Sequence, residues 1–244
     1  DLIAEQTTSG EFDGVVITHG TDTLEETAYF LELATSTDLP IVLTGAMRSS
    51  NEIGSDGVYN LMSAVRVAAN ENAHGKGVLV VLNDEIHTAT NVTKTHASNV
   101  STFQSPQYGP IGIVTKSGIH FHHAPLSRTF LPVQAISKKV AMFKVYEGMA
   151  SDLLHAASTI GYDGVVLEGF GQGNVPPTLL PGIRHLLSEK VPVILVSRCF
   201  NGIAQDVYAY EGGGKMLKEM GVQFEHGLSG QKARLKLLLT LCSK

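Results

Sequence analysis

Short runs of aliphatic residues alternate along the first half of the chain with polar loops and with segments of helical periodicity. The runs at 15–17, 40–43 and 77–82 have the length of strands, and a loop with Gly, Asp or Asn follows each of them. Glu25 and Glu26 fall in the first turn of the first helical segment, where the helix dipole favours acidic residues. This alternation predicts βα units and a mainly parallel sheet.

The same alternation resumes after a connector that contains proline, and further strand-like runs and helical segments follow it. We therefore predict an α/β protein with two α/β domains whose sheets are mainly parallel. A larger, flavodoxin-like N-terminal domain is expected over residues 1–124, a linker over 125–139 and a smaller C-terminal domain over 140–244.

Three segments carry more specific expectations. In the second helical segment Val58, Leu61, Val65 and Ala68 recur at helical spacing and form one apolar face, a pattern typical of a helix that packs onto a sheet. The stretch 86–108 is rich in Thr, Ser, Asn and His without a clean period, which predicts a long polar loop with a functional role. Ser229 precedes the final helical segment and is expected to cap it.

Composition excludes several classes of protein. The 244 residues are 43% hydrophobic and 17% charged, so the chain is too apolar to be disordered. The formal net charge of −5 argues against nucleic acid as the main partner. No run approaches the roughly 18 apolar residues that span a membrane, and two cysteines are too few for a disulfide scaffold.

A polar loop with the sequence HGTDT, residues 19–23, lies between the first predicted strand and the first predicted helix. Open α/β sheets bind ligands at this edge, and a helix N-terminus favours an anionic group. Gly20 lets a ligand approach the backbone, Thr21 offers a hydroxyl, and Asp22 offers a charged acceptor. The sequence leaves equally open that Thr21 or Asp22 only caps the helix.

Lys94, in the segment VTKT, becomes a candidate only in combination with this loop. A lone lysine in a polar loop is most often a solvated surface residue. A lysine amine with a lowered pKa takes a proton from a threonine hydroxyl, and an aspartate orients such a lysine. Thr21, Lys94 and Asp22 would then activate a nucleophile by the logic of the serine triad, although sequence spacing does not show that they meet.

Several segments, collinear from about residue 13 to the C-terminus, resemble the bacterial L-asparaginase/glutaminase family. They are VITHGTDTLEETAYFL, LTGAMRSSNEIGSDGVYNLMSAV, VLVVLNDEIHTATNVTKT, QYGPIG, GFGQGN and GLSGQKARLKLLLTL. The resemblance implies hydrolysis of the side-chain amide of L-asparagine to L-aspartate and ammonia, through a threonine nucleophile and without a metal or organic cofactor. L-Glutamine stays open as a substrate, because a pocket discriminates one methylene only modestly.

Individual residues match the family's motifs. Thr21 resembles a catalytic threonine, and Lys94 resembles the catalytic lysine. Asp22 resembles the residue that holds the substrate's α-amino group and orients that lysine. Gly20 and Ala46 resemble backbone positions that line the amide pocket.

The resemblance also implies a homotetramer built from tight dimers whose active sites are shared between subunits. Asn174 in GQGN resembles a polar residue that reaches the neighbouring subunit's site. The family often supplies an acid from a partner subunit, but the matching position here is Tyr208; either Tyr208 or Glu211 stays open as its substitute. No disulfide pair is visible, so we expect a cytoplasmic protein.

Two features of the family's catalytic machinery are absent from these 244 residues. The family's TGGTI segment, whose first threonine is the usual nucleophile, does not occur, and neither does the serine that binds the α-carboxylate. We expect Asp1 to correspond to a point after both, so that the N-terminal domain lacks its leading strands and amide hydrolysis is impaired. The alternative from another class is a catalytically inactive scaffold that binds an amino acid.

Overall fold

The computed structural model describes residues 2–8 and 10–243, and the chain divides into two compact units, residues 1–132 and 133–244. The division falls inside the connector that the sequence places at 125–139. Both units are α/β, and the first is the larger, so the predicted two-domain α/β fold class is confirmed. Among the described residues, no helix is long and apolar enough to cross a membrane.

The described part of the first unit contains helices on a six-stranded sheet and a separate two-stranded hairpin. Its elements are α1 Leu2–Thr8, β1 Val15–Thr18, α2 Leu24–Ala34, β2 Ile41–Thr44, α3 Gly57–Ala68, a 3₁₀ helix Glu71–Ala73, β3 Val78–Leu82, β4 Glu85–Thr88, β5 Thr93–Lys94, β6 Phe103–Gln104, β7 Gly112–Val114 and β8 Ile119–Phe121. The sheet has the strand order β1-β2-β3-β4-β7-β8, and β5 pairs with β6. Strands β1 to β3 are parallel and the remaining pairs of the large sheet are antiparallel, so this sheet is mixed.

Helices α2 and α3 cover opposite faces of this sheet. Ile41 and Leu43 of β2 pack in one core cluster with α2, whereas Val42 packs in another with α3. Alternate residues of a strand point to opposite faces, and both faces are covered, so β2 is an uninterrupted apolar run. The parallel register pairs Thr18 with Thr44 and brings the ends of β1 and β2 to the same edge of the sheet.

The second unit is a parallel sheet covered by helices. Its elements are β9 Val140–Lys144, α4 Asp152–Ile160, β10 Gly164–Gly169, a 3₁₀ helix Pro177–Leu179, α5 Leu180–Ser188, β11 Val193–Ser197, α6 Gly214–Met220, β12 Gln223–Phe224 and α7 Gly230–Cys242. The strand order is β12-β11-β10-β9, and every pair is parallel. Helix α7 packs on β9, β10 and β11, and α4 packs against α5.

The apolar face expected on α3 is mostly wrong. Val58 and Val65 are 73% and 50% exposed, and Leu61 is 40% exposed, while Ala68 alone of the four is buried. The helix instead packs through a face with smaller side chains, among them Ala64, because these allow a closer approach to β2 and β3. Helical spacing identified an apolar stripe but not the stripe that meets the sheet.

Two valines of α3, one on the buried face and one on the exposed face, allow the assignment of the buried face to be tested. Val67 is fully buried and Val58 is largely exposed. We expect Val67→Ala to lower the free energy of unfolding by about 2 kcal/mol, because it removes buried methyl groups, and Val58→Ala to change it by less than about 0.5 kcal/mol. Urea denaturation of both variants tests this, and equal losses would contradict the assigned face.

The long polar loop expected over 86–108 is also wrong. This stretch contains most of β4 and the β5–β6 hairpin. His87 is fully buried, and its Nδ1 lies 2.9 Å from the Oγ of Ser105 in a hydrogen bond. Because polar side chains satisfy one another inside the unit and the strands are only two to four residues long, no period is visible in the sequence.

Ser229 lies at the N-cap position of α7, as expected, but its side chain makes no capping hydrogen bond. The backbone N–H of Gly230 donates to Glu168 Oε1 at 3.2 Å instead. A carboxylate from β10 thus accepts from one of the free N–H groups at the start of the helix.

Candidate active site

The HGTDT loop, residues 19–23, joins the end of β1 to the start of α2. The backbone N–H of His19 donates to the carbonyl of Thr44 at 2.9 Å, which holds the loop beside the end of β2. The His19 ring hydrogen-bonds with Thr27 Oγ1 at 3.0 Å and with the carbonyl of Gly20 at 2.7 Å. The loop is therefore anchored to the first turns of α2.

Lys94 meets both polar side chains of this loop. Its Nζ donates to Thr21 Oγ1 at 3.0 Å and to Asp22 Oδ1 at 2.8 Å, although 73 positions separate Lys94 from Thr21. The helix N-cap is Thr23, so the alternative that Thr21 or Asp22 caps α2 is wrong. The Lys94 side chain is only 17% exposed, whereas that of Asp22 is 94% exposed. The mostly buried Lys94 side chain thus lies beside the hydroxyl of Thr21 and the solvent-exposed carboxylate of Asp22.

The Lys94 ammonium lowers the pKa of Asp22 below the ordinary aspartate value, first through the hydrogen bond and then through its charge. A depressed pKa means that the ion pair is fully present above the ordinary aspartate pKa. The pair is lost as the pH falls through the lowered value. We expect a ¹³C NMR titration of the Asp22 carboxyl to show this low midpoint, and Lys94→Ala to raise it. An unchanged midpoint in Lys94→Ala would contradict the contact.

Sequence reasoning missed the role of Glu25 in this geometry. Its Oε1 accepts hydrogen bonds from Thr93 Oγ1 at 3.1 Å and from the backbone N–H of Lys94 at 3.2 Å. The residue is only 6% exposed. Its place in the first turn of α2 was explained by the helix dipole, and no sequence signal links it to residues 93 and 94.

The loop that contains Ala46 is held by polar side chains of α3 and of the residue before it. Asp56 accepts hydrogen bonds from the backbone N–H groups of Met47 and Arg48, and Asn60 Nδ2 donates to the carbonyl of Gly45. Ala46 is exposed. A Cβ on Gly45 would lie 2.5 Å from the carbonyl oxygen of His19, so glycine is required where the loops after β1 and β2 meet.

The surroundings of the other predicted site residues differ from one residue to the next. Gly20 is exposed, and a Cβ placed on it would have no atom within 4 Å, so its backbone faces open space. Asn174 belongs to the second unit, where its Oδ1 accepts from the backbone N–H of Gly214 at 3.2 Å. Tyr208 stacks on Tyr210 in the same unit, and Tyr208 and Glu211 are both exposed.

Both units match known protein families. The family described as "Asparaginase, N-terminal" matches residues 1–127, and the "Glutaminase/Asparaginase C-terminal domain" matches residues 139–244. Together with the two-unit α/β fold, these matches define the class of the protein as an amidohydrolase. Within that class, the chain belongs to the asparaginase family.

Individual relatives agree with this assignment. A probable L-asparaginase from Deinococcus radiodurans is 41% identical, and the match covers 96% of this chain and 72% of the relative. A probable periplasmic L-asparaginase from Haemophilus influenzae is 38% identical, with 94% and 66% covered. The crystal structure of a probable cytoplasmic L-asparaginase from Campylobacter jejuni superposes with a TM-score of 0.89 at 35% identity, and the match covers 98% of this chain and 76% of that one.

Proposed function

We propose that this chain hydrolyses the side-chain amide of L-asparagine to L-aspartate and ammonia, with Thr21, Asp22 and Lys94 as its catalytic residues. The observation that carries the proposal is the contact of Lys94 Nζ with Thr21 Oγ1 at 3.0 Å and with Asp22 Oδ1 at 2.8 Å. A hydroxyl, an amine and a carboxylate in this order form the set that activates an oxygen nucleophile.

The chemistry balances with these three groups and water. The Lys94 ammonium first releases a proton to water; the amine then takes the proton of the Thr21 hydroxyl as Oγ1 bonds to the amide carbon. The resulting ammonium of Lys94 then gives its proton to the amide nitrogen, the carbon–nitrogen bond breaks, and ammonia leaves. Water hydrolyses the threonine ester by the same proton path, which releases L-aspartate and restores Thr21.

The solvent-exposed groups of the site are suited to binding an amino acid. Asp22 presents its second carboxylate oxygen to solvent, where it would accept hydrogen bonds from the substrate's α-ammonium. The backbone at Gly20 and Ala46 borders the site from the ends of β1 and β2, and would line the amide pocket. The lowered pKa of Asp22 keeps this carboxylate charged at neutral pH, where an amino acid is a zwitterion.

We propose further that hydrolysis by this 244-residue chain is impaired. The TGGTI segment that supplies the family's usual nucleophile does not occur in these 244 residues, and we assign the nucleophile to Thr21. An activated hydroxyl beside a binding site still accelerates a reaction, and we therefore expect residual activity rather than none.

An assay of ammonia release from L-asparagine tests the proposal. We expect slow, enzyme-dependent release that Thr21→Ala abolishes and Thr21→Ser retains, because serine keeps the hydroxyl. If the chain releases no ammonia but binds L-aspartate, the alternative of an inactive amino-acid-binding scaffold holds. Release that Thr21→Ala leaves unchanged would overturn the assignment of Thr21 as nucleophile.

A preference for L-glutamine is the second candidate, because the family matched by the second unit includes glutaminases by its description. The two substrates differ by one methylene, which changes binding by about 1 to 3 kcal/mol at most. Parallel assays with both amides decide between them through the ratio of their kcat/KM values.

We propose that the active protein is a homotetramer in which Asn174 reaches the site of a neighbouring subunit. Its side-chain amide retains donors beyond the contact of Oδ1 with Gly214. We expect Asn174→Ala to weaken L-aspartate binding about tenfold, the effect of one hydrogen bond to a charged group. Calorimetry measures the affinity and light scattering the assembly; unchanged affinity in an intact tetramer would exclude a shared site.

We propose a cytoplasmic location for this protein. Cys199 is exposed and Cys242 is partly buried, and both are free thiols, the state that a reducing compartment maintains. Fractionation of the producing cells tests this, and recovery of the protein from the periplasm would contradict it.

A further inference from the structure

We propose that Glu25 is a positioning residue that holds Lys94 in reach of Thr21 and Asp22. The inference rests on the proposed function, in which Lys94 moves the proton. Glu25 acts on Lys94 through the backbone and through Thr93, and it takes no part in the proton transfer itself.

A single carboxylate oxygen fixes the strand that carries Lys94. Glu25 Oε1 accepts from Thr93 Oγ1 at 3.1 Å and from the Lys94 backbone N–H at 3.2 Å. The second of these bonds is made at the residue whose side chain enters the site. The position of the Lys94 Cα, from which the flexible side chain extends, therefore depends directly on Glu25.

The same residue is rigidly connected to the other half of the site. Glu25 is the second residue of α2, three positions after Asp22, and the HGTDT loop is anchored to α2 by the hydrogen bond between His19 and Thr27. Glu25 thus links two segments that are distant in sequence, the loop with the hydroxyl and carboxylate and the strand with the amine. A change in the length of the Glu25 side chain therefore alters the distance between this loop and this strand.

The sheet pairing of this strand is short, and the hydrogen bonds to Glu25 add to it. Strand β5 is only two residues long, and it pairs with β6, where Lys94 lies opposite Phe103. Glu25 is 6% exposed, so water does not readily replace the hydrogen bonds that its carboxylate accepts. Burial makes these bonds directional constraints, because leaving a buried carboxylate oxygen unsatisfied is unfavourable.

The test separates the length of this side chain from its charge. Glu25→Asp withdraws the carboxylate by one methylene and leaves its charge, whereas Glu25→Gln keeps the length and an acceptor oxygen. The readout is the midpoint of the Asp22 carboxyl in a ¹³C NMR titration, since this midpoint reports how closely Lys94 approaches Asp22. We expect Glu25→Asp to raise it at least halfway towards its value in Lys94→Ala, and Glu25→Gln to leave it low.

Glu32 provides a matched control on the same helix. It is 7% exposed, and its carboxylate also accepts from the backbone N–H of a strand residue, Val78, at 2.7 Å. Glu32→Asp therefore tests whether shortening any buried glutamate of α2 disturbs the site, and we expect no change at Asp22. Circular dichroism confirms that each variant is folded.

The outcomes are distinct for each proposal. If folded Glu25→Asp leaves the Asp22 midpoint as low as in the unmodified chain, or if Glu32→Asp raises it equally, Glu25 does not position Lys94. If Lys94→Ala itself fails to raise the midpoint, the contact on which the proposed function depends is absent. In the ammonia assay, Glu25→Asp is expected to lower kcat about tenfold with little change in KM, as for a misplaced catalytic group, and Glu25→Gln to restore most of it.

Discussion

Replacement of Lys94 by alanine is expected to lower the rate of ammonia release from L-asparagine at least about hundredfold, which is the usual contribution of a positioned general base. The Lys94 Nζ lies 3.0 Å from Thr21 Oγ1, and in its amine form it would accept the hydroxyl proton. Without it, the threonine hydroxyl is a weak nucleophile at neutral pH. Initial rates measured against a Thr21→Ala blank give the ratio.

Two variants control for loss of charge and loss of fold. Lys94→Arg keeps a cation beside Asp22 but offers no proton acceptor at neutral pH, so we expect activity as low as in Lys94→Ala. Lys116→Ala removes an exposed lysine from the turn between β7 and β8, and its activity should equal that of the unmodified chain. Activity of Lys94→Arg near the original value would show that charge alone, and not proton transfer, is required.

The largest expected effect on stability is that of Glu32→Ala, about 3 kcal/mol of the free energy of unfolding. Glu32 accepts from Arg128 Nε at 2.9 Å and from the backbone N–H of Val78 at 2.7 Å. Its removal leaves a partly buried guanidinium and a buried N–H without their acceptor, and breaking a buried pair in this way typically destabilises by about 3 to 5 kcal/mol. The lower end applies because the Arg128 side chain is 23% exposed and regains some water.

A second ion pair of the same unit provides the comparison. The Lys94–Asp22 pair has one almost fully exposed partner, and exposed pairs contribute about 0 to 1 kcal/mol. We expect Asp22→Ala to change the free energy of unfolding by no more than this. Urea denaturation at neutral pH, followed by circular dichroism, measures both variants. Similar losses in the two would show that burial does not distinguish these pairs.

Much of the fold could be predicted because a strand that is buried on both faces appears in the sequence as a continuous apolar run. The run 77–82 lies between two covered faces, so every position is apolar and the strand stands out. The same physical rule fails for β5, where two residues of intermediate burial leave no pattern. It fails differently on α3, where Val58 and Val65 form a regular stripe that does not face the sheet.

Part of the candidate site could also be predicted from the sequence, and part of it could not. The position of Thr21 and Asp22 at the carboxyl edge follows from local order, because a loop between a parallel strand and its helix always lies there. Their contact with Lys94 depends on the path of β4 and of the β5–β6 hairpin, which bring residue 94 back across the sheet edge. Glu25 has no local signal at all, because an acid in the first turn of a helix has an ordinary explanation.

The sequence by itself determined the α/β class, the family and the residue types of the proposed chemistry, because apolar runs, turn residues and collinear motifs are local properties of the chain. Only the tertiary structure decided that Lys94 Nζ lies 3.0 Å from Thr21 Oγ1, that Glu25 holds the strand of Lys94, and which face of α3 is buried. These are contacts between residues far apart along the chain. They are set by the packing of whole elements against one another, for which local periodicity contains no information.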